Sequence, residues 1–206
     1  MVATSLLQLS AAYDGYVDSV GNVDDTSVEL WVRRVFFLYR TFLRFSVATL
    51  DPEGLIVDSI YLRLNVIALV TAGLTHIGPY NGDGLADPQP DAGATKYTRC
   101  ATGVPYGFTR PAAAGLVDVR LGGTVEADLV AAAQAAAQIF SLGLYLSPQW
   151  TGSSITDLEA IEDAGSDEPK LLIEYHYAHL PVESGRALHR AVITNALGVV
   201  QQQVMP

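Results

Sequence analysis

The chain has 206 residues, and its 12 Lys and Arg against 22 Asp and Glu give a formal net charge of -10 at pH 7. Half of the residues are hydrophobic and 17% are charged, which predicts one large folded core rather than a disordered chain. The cations are few and scattered, with Lys only at Lys96 and Lys170. Such a surface cannot neutralise a phosphate backbone or an anionic bilayer, so we expect neither a nucleic acid nor a membrane as partner.

The first ten residues lack the basic stretch and the apolar core of a secretory signal, so we expect the protein to stay in the cytosol. No run of about 20 apolar residues occurs, because Gln134 and Gln138 interrupt even the Ala-rich stretch, so we expect no membrane span. Cys100 is the only cysteine and cannot close an internal disulfide. Because no Cys/His signature surrounds it, we interpret Cys100 as a small hydrophobic residue rather than a catalytic thiol.

Alternation of apolar and polar residues with a period of two dominates the chain and predicts β-strands. In residues 59–66 the apolar set points to one face and the polar set to the other. Alternating or strand-like segments also occur at 13–19, 28–34, 43–47, 115–121, 142–146, 154–161 and 171–177. Eight strands without helical crossovers predict an all-β fold, an antiparallel jelly-roll β-sandwich.

One short Ala-rich helix interrupts the strand pattern. Thr124 can cap its start, Glu126 and Asp128 place negative charge in its first turn, and the Ala-rich stretch continues to about Gln138. The face predicted to pack carries Leu129, Ala132, Ala133 and Ala136. We expect the helix to lie across an open end of the sandwich.

Two segments depart from the strand pattern. Residues 78–95 are dense in Gly, Pro, Asp and Asn, which predicts a surface loop of the kind that makes contacts. Residues 178–206 mix Val, Leu and Gln without a clean period. We therefore predict a jelly-roll domain at 1–177 and a C-terminal appendage, a docking tail, at 178–206.

Several strand and turn sequences resemble one family in their order along the chain. In the first half these are Asp14-Gly-Tyr-Val17, Arg40-Thr-Phe-Leu-Arg-Phe45 and Ser59-Ile-Tyr-Leu-Arg-Leu64. In the second half they are Leu121-Gly-Gly-Thr124, Leu142-Gly-Leu-Tyr145 and Glu168-Pro-Lys-Leu-Leu-Ile-Glu-Tyr175. Together they resemble the DNRLRE, or disaggregatase-related, β-sandwich modules. The resemblance implies a jelly-roll module that binds or displays, as found on extracellular proteins and on phage particles.

The sequence carries no recognised catalytic signature. Neither a Gly-x-Ser-x-Gly elbow nor a P-loop nor a dinucleotide fingerprint occurs. His176 and His179 would lie on opposite faces of a strand, without the further ligands of a zinc site. The acids around Asp18 and Asp83 do not complete a calcium-loop pattern, and no pair of carboxylates is singled out for glycoside hydrolysis. We predict a protein that is not an enzyme and has no cofactor and no metal site.

Three aromatic residues are candidate contact residues, namely Tyr80, Tyr106 and Trp150. They fall in or beside predicted loops, where a ring can stack on a sugar or anchor a protein. Packing in the interior is the alternative for each of them.

The absent export signal and the family resemblance together favour a phage, because virion proteins are made in the cytosol. We expect a non-enzymatic structural protein of the virion, assembled in the host cytoplasm: a capsid decoration, head fibre or tail-associated component. Its partners would be other virion proteins. The alternative is a carbohydrate-binding or host-adhesion module for a glycan, which predicts aromatic rings grouped on one exposed face. Either function is compatible with a homo-oligomer.

Overall fold

The computed structural model of the protein describes residues 4–160, 167–178, 191–194 and 200–203. Within these ranges the helices are α1 at Gly93–Arg99 and α2 at Val125–Gln134, with a 3-10 turn at Tyr80–Gly82. The strands are β1 Ser5–Asp18, β2 Val23–Asp24, β3 Glu29–Arg34, β4 Tyr39–Ser46, β5 Leu55–Val70, β6 Thr75–Pro79, β7 Gly107–Thr109, β8 Gly115–Leu121, β9 Ile139–Leu146, β10 Ser154–Glu159, β11 Lys170–Tyr177, β12 Ala191–Thr194 and β13 Val200–Gln203.

The strands form an antiparallel sandwich of two layers. In the first layer β5 pairs with β8, β10 and β11, and β3 pairs with β10. In the second layer the order is β2, β1, β4, β9, β6, β7. Strand β1 belongs to both, because its first half pairs with β11 and its second half, after a bulge between Ala11 and Tyr13, pairs with β4. The predicted all-β antiparallel sandwich is confirmed, and its jelly-roll type stays a prediction.

A hydrophobic core fills the space between the layers. Strand β5 contributes Ile60, Leu62 and Leu64 from the first layer, and β4 contributes Leu43 and Phe45 from the second. Each of these side chains is at most 2% exposed. Period-two alternation directs them inward, so the assignment of these residues to the buried face is confirmed.

Each of the eight predicted strands is present, and several are longer than the alternation indicated. Strand β1 begins at Ser5 rather than at residue 13, and β5 extends over Leu55–Val70. Strand β10 ends at Glu159, two residues earlier than predicted. Strands β6 and β7 were not predicted, because five and three residues containing Gly and Pro are too few to display a period.

The segment predicted as a surface loop, 78–95, is irregular from residue 83 to residue 92 and exposed in part, and its remaining residues pack on the outer face of the second layer. Here Tyr80 and Cys100 form a second buried cluster with Val17 of β1 and Phe42 of β4. The backbone of Cys100 lies directly against Gly143 of β9. Strand β9 is consequently buried on both faces from Phe140 to Leu146, although its Gly143 and Tyr145 were predicted to face water.

The Ala-rich helix is confirmed as α2, with a shorter C-terminal end. It ends at Gln134, so Ala136 lies outside the helix and is exposed, whereas Leu129, Ala132 and Ala133 are buried. The helix contacts β5 of one layer and β9 of the other, as expected for a helix across an end of the sandwich. The Thr124 hydroxyl donates to the Asp128 carboxylate at 2.7 Å instead of capping a backbone N–H group.

The predicted tail at 178–206 is described only in part. The sandwich extends to Ala178, whose N–H group donates to the carbonyl oxygen of Gly54 at 2.7 Å. Strands β12 and β13 pair with each other as an antiparallel hairpin, and the remaining tail residues lie outside the described ranges. Neither α1 nor α2 has the length and apolar character needed to cross a membrane.

Candidate functional site

Two of the three predicted contact aromatics are buried. Tyr80 is 0% exposed and its hydroxyl donates to Asp91 Oδ2 at 2.6 Å. Tyr106 is 6% exposed, donates to Asp128 Oδ2 at 2.8 Å and stacks on another core ring. The prediction that these rings offer a contact surface is therefore wrong, and the alternative of interior packing holds for both.

Trp150, the third predicted contact residue, is half-buried and packs against the core between the layers. Its indole Nε1 is buried and has no hydrogen-bond partner among the described residues. The Trp150 carbonyl oxygen accepts a hydrogen bond from Arg34 Nη1 at 2.6 Å, and Arg110 lies 5.2 Å from the ring centroid. The backbone of Trp150 thus helps to position Arg34.

A groove of about 550 Å³ opens where the β3–β4 hairpin, the end of β9 and the loop after α1 meet. The side chains that give this groove its chemistry are Arg34, Tyr39, Arg40, His76, Tyr145 and Ser147. No acidic residue is among the described residues that line it. We call it the arginine groove.

The two arginines of the groove are held by backbone oxygens rather than by carboxylates. Arg34 donates to the Trp150 carbonyl, and Arg40 donates to the carbonyl oxygen of Tyr97. The Arg40 guanidinium also lies 3.8 Å from the centroid of the Tyr97 ring. Among the described residues, neither guanidinium has an ion-pair partner within 4.0 Å. Each therefore retains N–H groups for an anionic ligand.

His76 and Tyr145 are cross-strand neighbours on β6 and β9, with ring centroids 5.4 Å apart in an edge-on arrangement. Burial lowers the pKa of His76, so the imidazole is neutral at pH 7 and offers both a donor and an acceptor. Burial raises the pKa of Tyr145, an effect that the charge of Arg40 opposes, so its hydroxyl stays protonated. No hydrogen bond between described residues involves this hydroxyl.

An aromatic cluster adjoins the arginine groove and shares Tyr39 with it. Tyr16 of β1 stacks on Trp31 of β3 at 4.3 Å between ring centroids, and Tyr39 meets both rings edge-on. The rings line a smaller depression of about 290 Å³ together with Asp18 and Asp24. The Tyr16 hydroxyl donates to Asp24 Oδ2 at 3.1 Å; burial is the main cause, and this bond a further cause, of its raised pKa.

Sequence reasoning missed the groove because its aromatic residues lie in strands, whereas the candidate contact residues were chosen from predicted loops. A signal was nevertheless present, since residues 31–40 contain three arginines among Trp, Phe and Tyr residues. His76 and Tyr145 carry no comparable local signal. Only the pairing of β6 with β9 brings them together.

An apolar tip, defined as Val35, Phe36 and Phe37, projects beside the arginine groove. These residues connect β3 to β4 and are 47%, 93% and 43% exposed. Val104 is 82% exposed and follows Gly103, which lines the groove with Leu38 of the hairpin. The groove is thus bordered by exposed apolar side chains.

The part of the chain that the structure describes contains no cluster of three or more His, Cys, Asp or Glu side chains suited to a metal ion. His176 Nδ1 lies 2.9 Å from Asp58 Oδ2 on the neighbouring strand. His179, its partner in the sequence pair, lies outside the described residues.

No protein-family model matches the sequence. A search of curated proteins likewise finds no match. The resemblance to the DNRLRE modules therefore stays a prediction.

Proposed function

We propose that the protein is a non-enzymatic structural protein of a phage virion, docking on the particle as a capsid decoration, head fibre or tail-associated component. The observation that carries this proposal is the apolar tip. Three consecutive exposed apolar residues at a hairpin end are unfavourable in water and are typical of protein contact sites. The resemblance of the sequence to modules found on phage particles supports the same function.

The geometry of the β3–β4 hairpin suits Phe36 to anchor the protein on a partner. Arg34 and Leu38 form a β-bridge across the turn, and the N–H group of Val35 donates to the carbonyl oxygen of Phe37 at 3.3 Å. Phe36 is therefore presented from an ordered hairpin, and less conformational entropy is lost when a partner covers it. An aromatic ring entering a pocket of a partner is a frequent source of binding energy. The net charge of -10 keeps unbound subunits apart in solution.

Substitution of Phe36 tests the docking proposal. We expect Phe36→Ser to reduce the copy number of the protein on gradient-purified particles, as measured by quantitative mass spectrometry. Leu116→Ser is the matched control, because Leu116 is also exposed (56%) but lies on β8 of the first layer. Equal incorporation of Phe36→Ser and wild type would contradict the docking role of the apolar tip.

We also propose that the tail contributes to docking. Because Ala178 still bonds to the sandwich, the deletion that tests this proposal removes residues 179–206. We expect the truncated protein to retain the circular dichroism spectrum of the sandwich and to lose particle association. Unchanged incorporation of the truncated protein would refute a docking role for the tail.

A second candidate function is carbohydrate binding in host adhesion. It is favoured by the half-buried ring of Tyr39 at the arginine groove, beside the stacked rings of Tyr16 and Trp31. Aromatic faces with adjacent polar groups are suited to sugar rings. A protein that is retained on glycan resin but never sediments with particles would favour this function over the virion component.

A further inference from the structure

We infer that the arginine groove binds a carboxylate-bearing sugar, such as a uronic or sialic acid unit of an acidic glycan. This inference rests on the second proposed function and specifies its ligand. It assigns the selectivity of the site to Arg34 and Arg40 and the sugar contact to the ring of Tyr39.

The charge distribution is the first argument. The chain carries a net charge of -10, and within the described residues Arg33, Arg44, Arg63 and Arg99 all form ion pairs with carboxylates. Arg34 and Arg40 instead bond to backbone carbonyl oxygens, in a groove without a described acidic lining residue. Two such guanidinium groups at one concave site provide an uncompensated positive potential, and their planar N–H pattern matches a carboxylate.

The remaining lining favours a sugar over an acidic peptide. The half-buried ring of Tyr39 can contact the apolar face of a pyranose. Neutral His76 and Ser147 can each donate and accept a hydrogen bond, and the hydroxyl groups of a sugar also do both. A volume of about 550 Å³ lies in the range of small-ligand sites.

The test compares ligands that share a sugar skeleton and differ in charge. Binding of an oligogalacturonate and of an oligosialic acid is measured by calorimetry, each beside its methyl ester, which has the same sugar skeleton without the negative charge. We expect the acids to bind at low salt and the esters at least about tenfold more weakly, because a charged hydrogen bond is lost. Added salt should weaken the binding of the acids.

The variants are matched in charge. We expect the double variant R34Q/R40Q to lose affinity for the acidic oligomer by more than about tenfold. The control R63Q/R120Q removes the same charge from β5 and β8 of the first layer and should bind as wild type does. The circular dichroism spectra of both variants establish that they are folded.

Each outcome bears on a different proposal. Equal binding of acid and ester would overturn the acidic-sugar inference and leave carbohydrate binding standing. Equal losses in R34Q/R40Q and R63Q/R120Q would mean that net charge, not the groove, attracts the ligand. Absence of binding to every oligomer would overturn both the inference and the second candidate function, whereas the particle-incorporation test of the apolar tip would be unaffected.

Discussion

The buried hydroxyl of Tyr80 makes stability dependent on pH in the alkaline range. Burial, together with the hydrogen bond to Asp91, raises the pKa of Tyr80 above its ordinary value of 10.0. Between the ordinary pKa and the raised one, the unfolded chain releases the proton and the folded protein retains it. The stabilising contribution is therefore complete below about pH 10 and is lost as the pH rises toward the folded pKa.

Replacing Tyr80 with Phe isolates this contribution. We expect Tyr80→Phe to reduce the free energy of unfolding by about 1 kcal/mol near neutral pH, because Asp91 keeps its ion pair with Arg99. Above about pH 10 the wild type should lose up to about 1.4 kcal/mol more per pH unit than the variant. Urea denaturation of both proteins across this range measures the difference, and parallel stability curves would contradict the prediction.

At the scale of elements, the packing of Cys100, which follows α1, on β9 depends on a glycine. A Cβ atom on Gly143 would collide with the carbonyl group of Cys100 just after α1, with the carbonyl carbon only 2.6 Å away. The neighbouring atoms are backbone and cannot rotate out of the way. The segment that covers the second layer would have to move as a unit.

We expect Gly143→Ala to lower the free energy of unfolding by about 1–3 kcal/mol, the usual range for overpacking. Gly122→Ala is the matched control, because a Cβ atom there would meet nothing closer than 4.0 Å. Thermal denaturation followed by circular dichroism measures both. If the two variants melt at the same temperature, the close approach of the Cys100 backbone to β9 is wrong.

Periodicity predicted the strands well because their inner faces are buried in the core and therefore carry apolar residues. In β5, for example, Ile60 and Leu62 alternate with polar residues. The same period could not show what covers the other face. On β9, Gly143 and Tyr145 were predicted to face water, yet residues from 80 to 105 cover this side of the sheet. Gly and Pro content marks where regular structure stops but not where the segment packs.

The candidate site was hidden for a related reason. Arg40, His76 and Tyr145 are far apart in the sequence and meet only through the pairing of β4 with β9 and of β9 with β6. Alternation predicts which residues share the face of one strand, but not which strands are neighbours. The loop position of Tyr80 and Tyr106 suggested exposure, whereas both side chains are buried and their hydroxyl groups donate to carboxylates.

At the scale of the whole molecule, we expect the sandwich to unfold in a single cooperative transition. The two layers share one core and are joined through β1. Tryptophan fluorescence and far-ultraviolet circular dichroism should therefore give coincident urea transitions.

Alkylation of Cys100 provides a third probe of the same transition. The thiol is 0% exposed and burial raises its pKa to about 12, so iodoacetamide should react only with the unfolded chain. Modification at a lower urea concentration than the loss of circular dichroism would mean that the cover over the second layer opens independently, contradicting the prediction.

The pairing of β1 with β11 has a consequence for biosynthesis. Ser5 on the first strand lies opposite Tyr175 on the last strand of the sandwich. During translation, β1 is made first, and its partner β11 emerges from the ribosome only after nearly the whole domain. Closure of the sandwich is thus a late event, and an incomplete chain exposes a strand edge of the kind that chaperones protect from aggregation.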